Sequence, residues 1–144
     1  MSTSARDTEL VEIGPDDCLR LLAGGAVGRV VFTDFALPAA HPVNYLLDGA
    51  EVVFRTGAGS KLAAATRNAV VAFQVDEIDR RTRTGWSVLG IGVAYEVTDP
   101  VRLVGLADRM PIPWAPGRIA HTIAIPLQQL RGRRLTVTSA VSTT

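Results

Sequence analysis

From residue 28 onward, short runs of β-branched and aromatic residues alternate with turn residues, which is the pattern of a mainly β chain. Strands are predicted at Arg29-Val30-Val31-Phe32, Pro42-Val43-Asn44-Tyr45-Leu46-Leu47, Glu51-Val52-Val53-Phe54-Arg55 and Val70-Val71-Ala72-Phe73-Gln74-Val75, then over 86–97, 121–125 and 130–137. Asp48-Gly49 joins two of these runs and predicts a tight type I′ hairpin, because both residue types tolerate positive φ. A proline-rich break is expected between the first two runs and a charged loop over 76–84. Gly90 and Gly92 inside a long apolar strand predict bends or close backbone approach.

Three short helices interrupt the strands. Pro15 opens the first, Asp16 and Asp17 favour its N-terminal dipole, Leu19, Leu21 and Leu22 form its apolar stripe, and Gly24-Gly25 stop it. Ser60 caps a second over 62–67, and Asp99-Pro100 starts a third that runs over 101–109. The connections are too short for helical crossovers, so antiparallel strands closing into a small barrel fit better than a doubly wound sheet. The expected organisation is a polar N-terminal segment over 1–12, mobile or lying across a partner, one barrel domain over 13–139 and a short tail over 140–144.

Composition narrows the functional classes. A chain of 144 residues with 47% hydrophobic and 20% charged residues suits one core, which leaves little room for a deep private cavity. The formal net charge of +1 argues against nucleic acid or acidic lipid as partners, and Arg80-Arg81-Thr82-Arg83 and Arg131-Gly132-Arg133-Arg134 read as solvated faces. One cysteine, Cys18, reads as a small core residue, and two histidines, His41 and His121, give no metal cluster and no hydrolytic triad. No run approaches the roughly 18 apolar residues of a membrane span, and no signal peptide is evident, so a cytoplasmic location is expected.

The densest candidate chemistry lies in Phe54-Arg55-Thr56-Gly57-Ala58-Gly59-Ser60-Lys61-Leu62. A strand end, a glycine turn and a helix start bring together the paired donors of Arg55, two hydroxyls and the point charge of Lys61, a set suited to phosphate. The same residues also suit a solvated strand end, a plain cap and an exposed lysine. Lys61 in a first helical turn opposes the dipole, which tilts the balance towards an anion. Val43 and Asn44 fall on the strand expected beside Arg55, where a planar ligand can lie. Tyr45 reads as a core aromatic. Trp86 and Ser87 open the long strand, where Trp86 serves equally as packing or as a ligand wall, and Trp114 stands in a proline-stiffened loop that presents it to a ligand or equally staples a dimer.

In order and spacing, the leading helix before Val27-Gly28-Arg29-Val30, Pro42-Val43-Asn44-Tyr45, the stretch from Phe54 to Leu62, Gly85-Trp86-Ser87-Val88 and Pro113-Trp114-Ala115-Pro116-Gly117 resemble the pyridoxamine 5′-phosphate oxidase-like flavin-binding proteins. The resemblance implies a homodimer of six-stranded antiparallel split β-barrels with coenzyme sites at the subunit interface. It assigns the phosphate to Arg55, Thr56, Ser60 and Lys61, the ring to Val43 and Asn44, and closure to Trp86, Ser87 and Trp114. Flavin mononucleotide is the implied cofactor, with the deazaflavin coenzyme as the alternative and haem behind both. The implied function is oxidoreduction of a small planar substrate, with a non-catalytic carrier as the alternative. Leu130-Arg131-Gly132-Arg133-Arg134-Leu135 lacks the Arg-x-His pattern of enzymes that oxidise vitamin B6, and Arg55-Thr56 stands where the nitroimidazole-resistance branch often carries histidine. No catalytic acid or base is assigned.

Overall fold

A computed structural model describes residues 6–110 and 119–139. Its elements in chain order are β1 (Arg6–Ile13), α1 (Pro15–Ala23), β2 (Val27–Asp34), β3 (Leu37–Asp48), β4 (Glu51–Gly57), α2 (Lys61–Thr66), β5 (Val70–Asp79), β6 (Thr84–Val93), β7 (Tyr95–Glu96), α3 (Pro100–Ala107), β8 (Ile119–Pro126) and β9 (Gln129–Ser139). The strands form one antiparallel sheet in the order β1-β9-β6-β5-β2-β3-β4-β8-β7. Trp114 and the 140–144 tail lie outside the described residues.

The described residues hold nine strands where the sequence pattern predicts seven and the resemblance six, and the differences have local causes. β1 falls within the segment expected to be a polar leader; it pairs with β9 along its whole length, while residues 8–12 are all exposed. An edge strand held by main-chain bonds leaves no burial period to read. The apolar stretch over 86–97 is cut at buried Ala94, whose N–H donates to the Ala69 carbonyl (3.0 Å), and only Tyr95–Glu96 resume pairing, now with β8.

The proline-rich break is in fact the first part of β3, joined to β2 by a tight turn in which Phe35 and Ala36 have φ of 50° and 66°. Over 37–44 β3 pairs with β2 alone, so a proline whose missing N–H faces the other side costs no ladder bond. The expected loop over 76–84 shrinks to a turn, with Asp79 accepting from Arg81 N (2.8 Å) and Thr82 N (3.2 Å). At the predicted hairpin, Asp48 pairs with Glu51 and only Gly49 takes positive φ (61°), so glycine is the first of two central residues, Gly49 and Ala50. That is the other favoured hairpin class rather than type I′.

The three predicted helices form, with Gly24 ending α1, Ser60 Oγ accepting from Leu62 N (3.1 Å) and Asp99 Oδ1 accepting from Val101 N (3.2 Å). Strand alternation directs Val30, Phe32, Tyr45, Val52, Phe54, Val71, Phe73, Val75, Val88, Ile123 and Ile125 inward. Cys18 and Leu22 of α1 and Leu62 and Ala63 of α2 join the same core. Burial pushes the Cys18 thiol up, consistent with a core residue rather than a nucleophile. The Tyr45 hydroxyl donates to the Leu22 carbonyl, and burial pushes its pKa up to about 12.

On the outer face of β4 and β8, Val53 and Ala124 pack with Val97, Leu106 and Met110 beneath α3. Arg102 of α3 clasps that side by donating to Asp48 (3.1 Å) and Glu51 (2.8 Å). The sheet curls until Gly92 of β6 meets the carbonyl of Pro126 on β8. Leu127 N then donates to Ala50 O (2.9 Å) and Gln128 Oε1 accepts from Val93 N (2.9 Å). β8 and β9 do not pair with each other, which leaves the barrel split between them.

Candidate functional site

β3 changes partner at Asn44/Tyr45: up to Asn44 it pairs with β2, and from Tyr45 onward with β4. Past this corner the end of β4 has no pairing with β3, and Arg55, Thr56 and Gly57 keep only β8 beside them. Asn44 falls one position beyond the Tyr45–Phe54 pair, where β3 has already turned to β2, so the two strands are paired neighbours only up to Tyr45 and Phe54.

The strand then breaks into the turn. Its register with β8 slips between Thr56 and Gly57, Ser60 N donates to Gly57 O (3.2 Å), and Gly59 takes φ of 77°, a region that disfavours side-chain-bearing residues. Alternation sets Arg55 on the face of Val53 and Thr56 on the face of Phe54. Arg55 is half-buried, Lys61 is exposed, and Ser60 uses its oxygen as an acceptor for the helix cap while its hydroxyl proton remains available to donate.

The decisive atom is on Thr56. Its side chain is only 8% exposed, and Oγ1 is buried with no hydrogen-bond partner. A buried hydroxyl left unpaired costs about 1–3 kcal/mol and calls for an explanation. A phosphate oxygen at the turn would accept from it, so the residues present fit a phosphate-bearing coenzyme.

Trp86 and Ser87 do not join this cluster within one subunit. On β6 they are separated from β4 in the sheet by β5, β2 and β3. Trp86 instead walls a cavity of about 330 Å³ with Arg20, Leu21, Gly24, Gly25, Val75 and Glu77. Ser87 lies on the opposite face, near Gln74 (3.5 Å).

A second polar cluster was not anticipated from the sequence. His121 is the direct partner of Thr56 across β4 and β8. Its Nδ1 lies 3.0 Å from Glu96 Oε2, and Arg67, just past α2, donates to Glu96 Oε1 (2.9 Å). His121 above all, and then Arg67, hold the Glu96 carboxyl below its ordinary range against the opposing effect of burial. The Asp48 carboxyl is lowered in the same way, first by Arg109 and then by Arg102.

For a carboxylate lowered in the folded state, the stabilisation is complete above its unfolded pKa of about 4 and is lost as pH falls through the lower folded value. The urea midpoint of the wild type should therefore fall as the solution is acidified below about pH 4, and Asp48→Asn/Glu96→Gln should flatten that limb. An unchanged acid limb in the double variant would show that these pairs do not contribute to it.

The sequence profile of the pyridoxamine 5′-phosphate oxidase family matches residues 14–138. The chain belongs to this family. Among relatives of this pyridoxamine 5′-phosphate oxidase-family chain, an uncharacterised protein of Mycobacterium tuberculosis is 40% identical over 136 residues, covering 91% of this chain and 89% of that one. The FAD binding protein from Mycobacterium smegmatis superposes with a TM-score of 0.69 at 29% identity, covering 88% of this chain and 98% of that one. An FAD-binding protein from Mesorhizobium loti shares the fold at a TM-score of 0.72 and 23% identity, covering 87% and 97%. Like these, the family member described here is a split barrel. No helix among its described residues is long and apolar enough to cross a membrane.

Proposed function

We propose that this chain binds a flavin coenzyme by its phosphate at the β4–α2 turn and uses it in oxidoreduction of a small planar substrate. The observation that carries the reading is the buried, unpartnered Thr56 hydroxyl in the same short strand-turn-helix stretch as Arg55, Ser60 and Lys61, Arg55 leaving the strand end on the opposite face. Thr56 and Ser60 donate to phosphate oxygens, Arg55 and Lys61 balance the charge, and the β3 corner at Val43 and Asn44 supports the ring. Flavin mononucleotide and FAD share the phosphate next to the ribityl chain, so one cradle serves both. The FAD-binding relative at 29% identity supports a flavin, and the deazaflavin coenzyme stays as the alternative. When bound, the flavin supplies the hydride and electron chemistry.

The site is completed in a homodimer. Its support is an apolar outer sheet face that α3 does not cover: Val31, Ala72 and Ile91 lie in one register row, and Val70 and Val93, both exposed, lie in another. A second subunit on this face would also bury Ser87, while Trp86, on the inner face, and Trp114 are kept as closing walls by the family resemblance alone.

Arg55, Thr56, Ser60, Lys61, Val43 and Asn44 include no group suited to proton transfer near neutral pH. This favours, as the second reading, a protein that carries the coenzyme without turnover. The test is fluorescence titration of the wild type with FAD, flavin mononucleotide and the deazaflavin coenzyme, alongside sedimentation velocity of the wild type and Ile91→Glu. The expected result is flavin binding by a wild-type dimer and loss of both properties in Ile91→Glu. A wild type that binds none of the three sinks the reading. Flavin that binds but is neither reduced by a nicotinamide donor nor reoxidised by any acceptor in stopped flow selects carriage.

A further inference from the structure

The His121–Glu96–Arg67 cluster ties β8, β7 and the end of α2 together, and it stands beside the one buried polar atom that lacks a partner among the described residues. Thr56 and His121 are direct cross-strand partners, and such pairs project their side chains from the same face, a few ångströms apart. Thr56 is buried and His121 half-buried, so the imidazole is the more open of the two groups.

The protonation logic is set by Glu96. Its lowered carboxyl is ionised and can only accept, so the proton between it and His121 sits on Nδ1. Nε2 has no hydrogen-bond partner among the described residues. With Nδ1 already protonated, Nε2 can donate to an anion only when the ring is an imidazolium. Glu96 supports that charge from one side and an anionic ligand supports it from the other. Arg67 at the end of α2 is bonded to Glu96, while the other cations near the turn are Arg55 of β4 and Lys61 of α2.

We propose that His121 is a further binding residue of the β4–α2 cradle, oriented by Glu96 and donating from Nε2 to the same coenzyme phosphate that the Thr56 hydroxyl contacts. This rests on the flavin reading given above.

The test uses the full chain and three probes: FAD, flavin mononucleotide and riboflavin, the last having no phosphate. His121→Gln should weaken FAD and flavin mononucleotide about tenfold, the effect of one charge-assisted hydrogen bond, and leave riboflavin affinity unchanged.

If the variant fails to fold, imidazole nitrogen resonances of the wild type decide the matter. With two histidines in the chain, His41 serves as the internal reference, and FAD should shift His121 alone. Parallel loss of riboflavin affinity, or an unmoved His121 resonance in a wild type that does bind FAD, overturns this inference and leaves the flavin reading standing. Failure of the wild type to bind FAD or flavin mononucleotide removes both.

Discussion

Gly92→Ala is expected to lower unfolding stability by about 3 kcal/mol or more, the upper end of what overpacking costs. An added Cβ at residue 92 would stand 1.7 Å from the carbonyl oxygen of Pro126 and 2.9 Å from its carbon. Both are backbone atoms on β8, so no side-chain rotation relieves the clash; β6 and β8 must separate. That separation pulls on the contacts that draw the ends of the sheet together, Leu127 N to Ala50 O and Val93 N to Gln128 Oε1.

Gly105→Ala on α3 is the matched control. Nothing lies within 4 Å of the position its Cβ would take, so replacing glycine there should gain roughly 0.5–1 kcal/mol from helix propensity. Urea unfolding of the two variants checks both signs. A Gly92→Ala protein within 1 kcal/mol of wild type would mean that the barrel does not close on this contact.

The same glycine shows what the sequence could and could not reveal. Gly90 and Gly92 in an apolar strand signal close approach because strand propensity otherwise disfavours glycine; the partner across the gap, Pro126, is 34 residues away and carries no matching mark. Local chemistry was legible wherever it is self-contained. Ser60 and Asp99 cap helices by bonding to atoms two residues on, and Gly24 ends α1. Phe35 and Ala36 were not legible: a turn needing two positive φ values selects Asn or Gly, and here the surrounding β2–β3 ladder imposes it on residues that disfavour it.

The prolines of β3 misled for the opposite reason, since only the absence of a neighbour on one side makes them tolerable. The phosphate turn could be read because Arg55, Thr56, Ser60 and Lys61 lie within one short stretch. His121, Glu96 and Arg67 could not, the first two being joined only by the β8–β7 pairing and Arg67 reaching them from the end of α2. Trp86 and Ser87 were read as two parts of one wall, yet alternation sends them to opposite faces of the sheet, so the two cannot face the same side of a ligand in one subunit.

Removing the two cations of the turn should cost the coenzyme about 100-fold in affinity. Arg55→Ala and Lys61→Ala each remove one charge-assisted contact, worth roughly tenfold or more, and the double variant should approach the product if the two act on separate phosphate oxygens. Lys61 is exposed, so its single variant should fold like the wild type and isolate the charge effect. Arg55 is half-buried and has interactions of its own, so Arg55→Lys is the variant that keeps charge while losing the paired donor geometry.

Thr56→Val separates binding from folding more sharply, because its two effects have opposite signs. Without ligand it deletes a buried hydroxyl that has no partner, so stability should rise by about 1 kcal/mol; with ligand it deletes a donor, so FAD and flavin mononucleotide should bind about tenfold more weakly. Thermal unfolding of the ligand-free protein and fluorescence titration of both flavins measure the two halves. A stabilised variant with unchanged flavin affinity would leave the hydroxyl unexplained and move the phosphate away from β4, whereas a destabilised variant would mean that Thr56 already has a partner, such as a bound water.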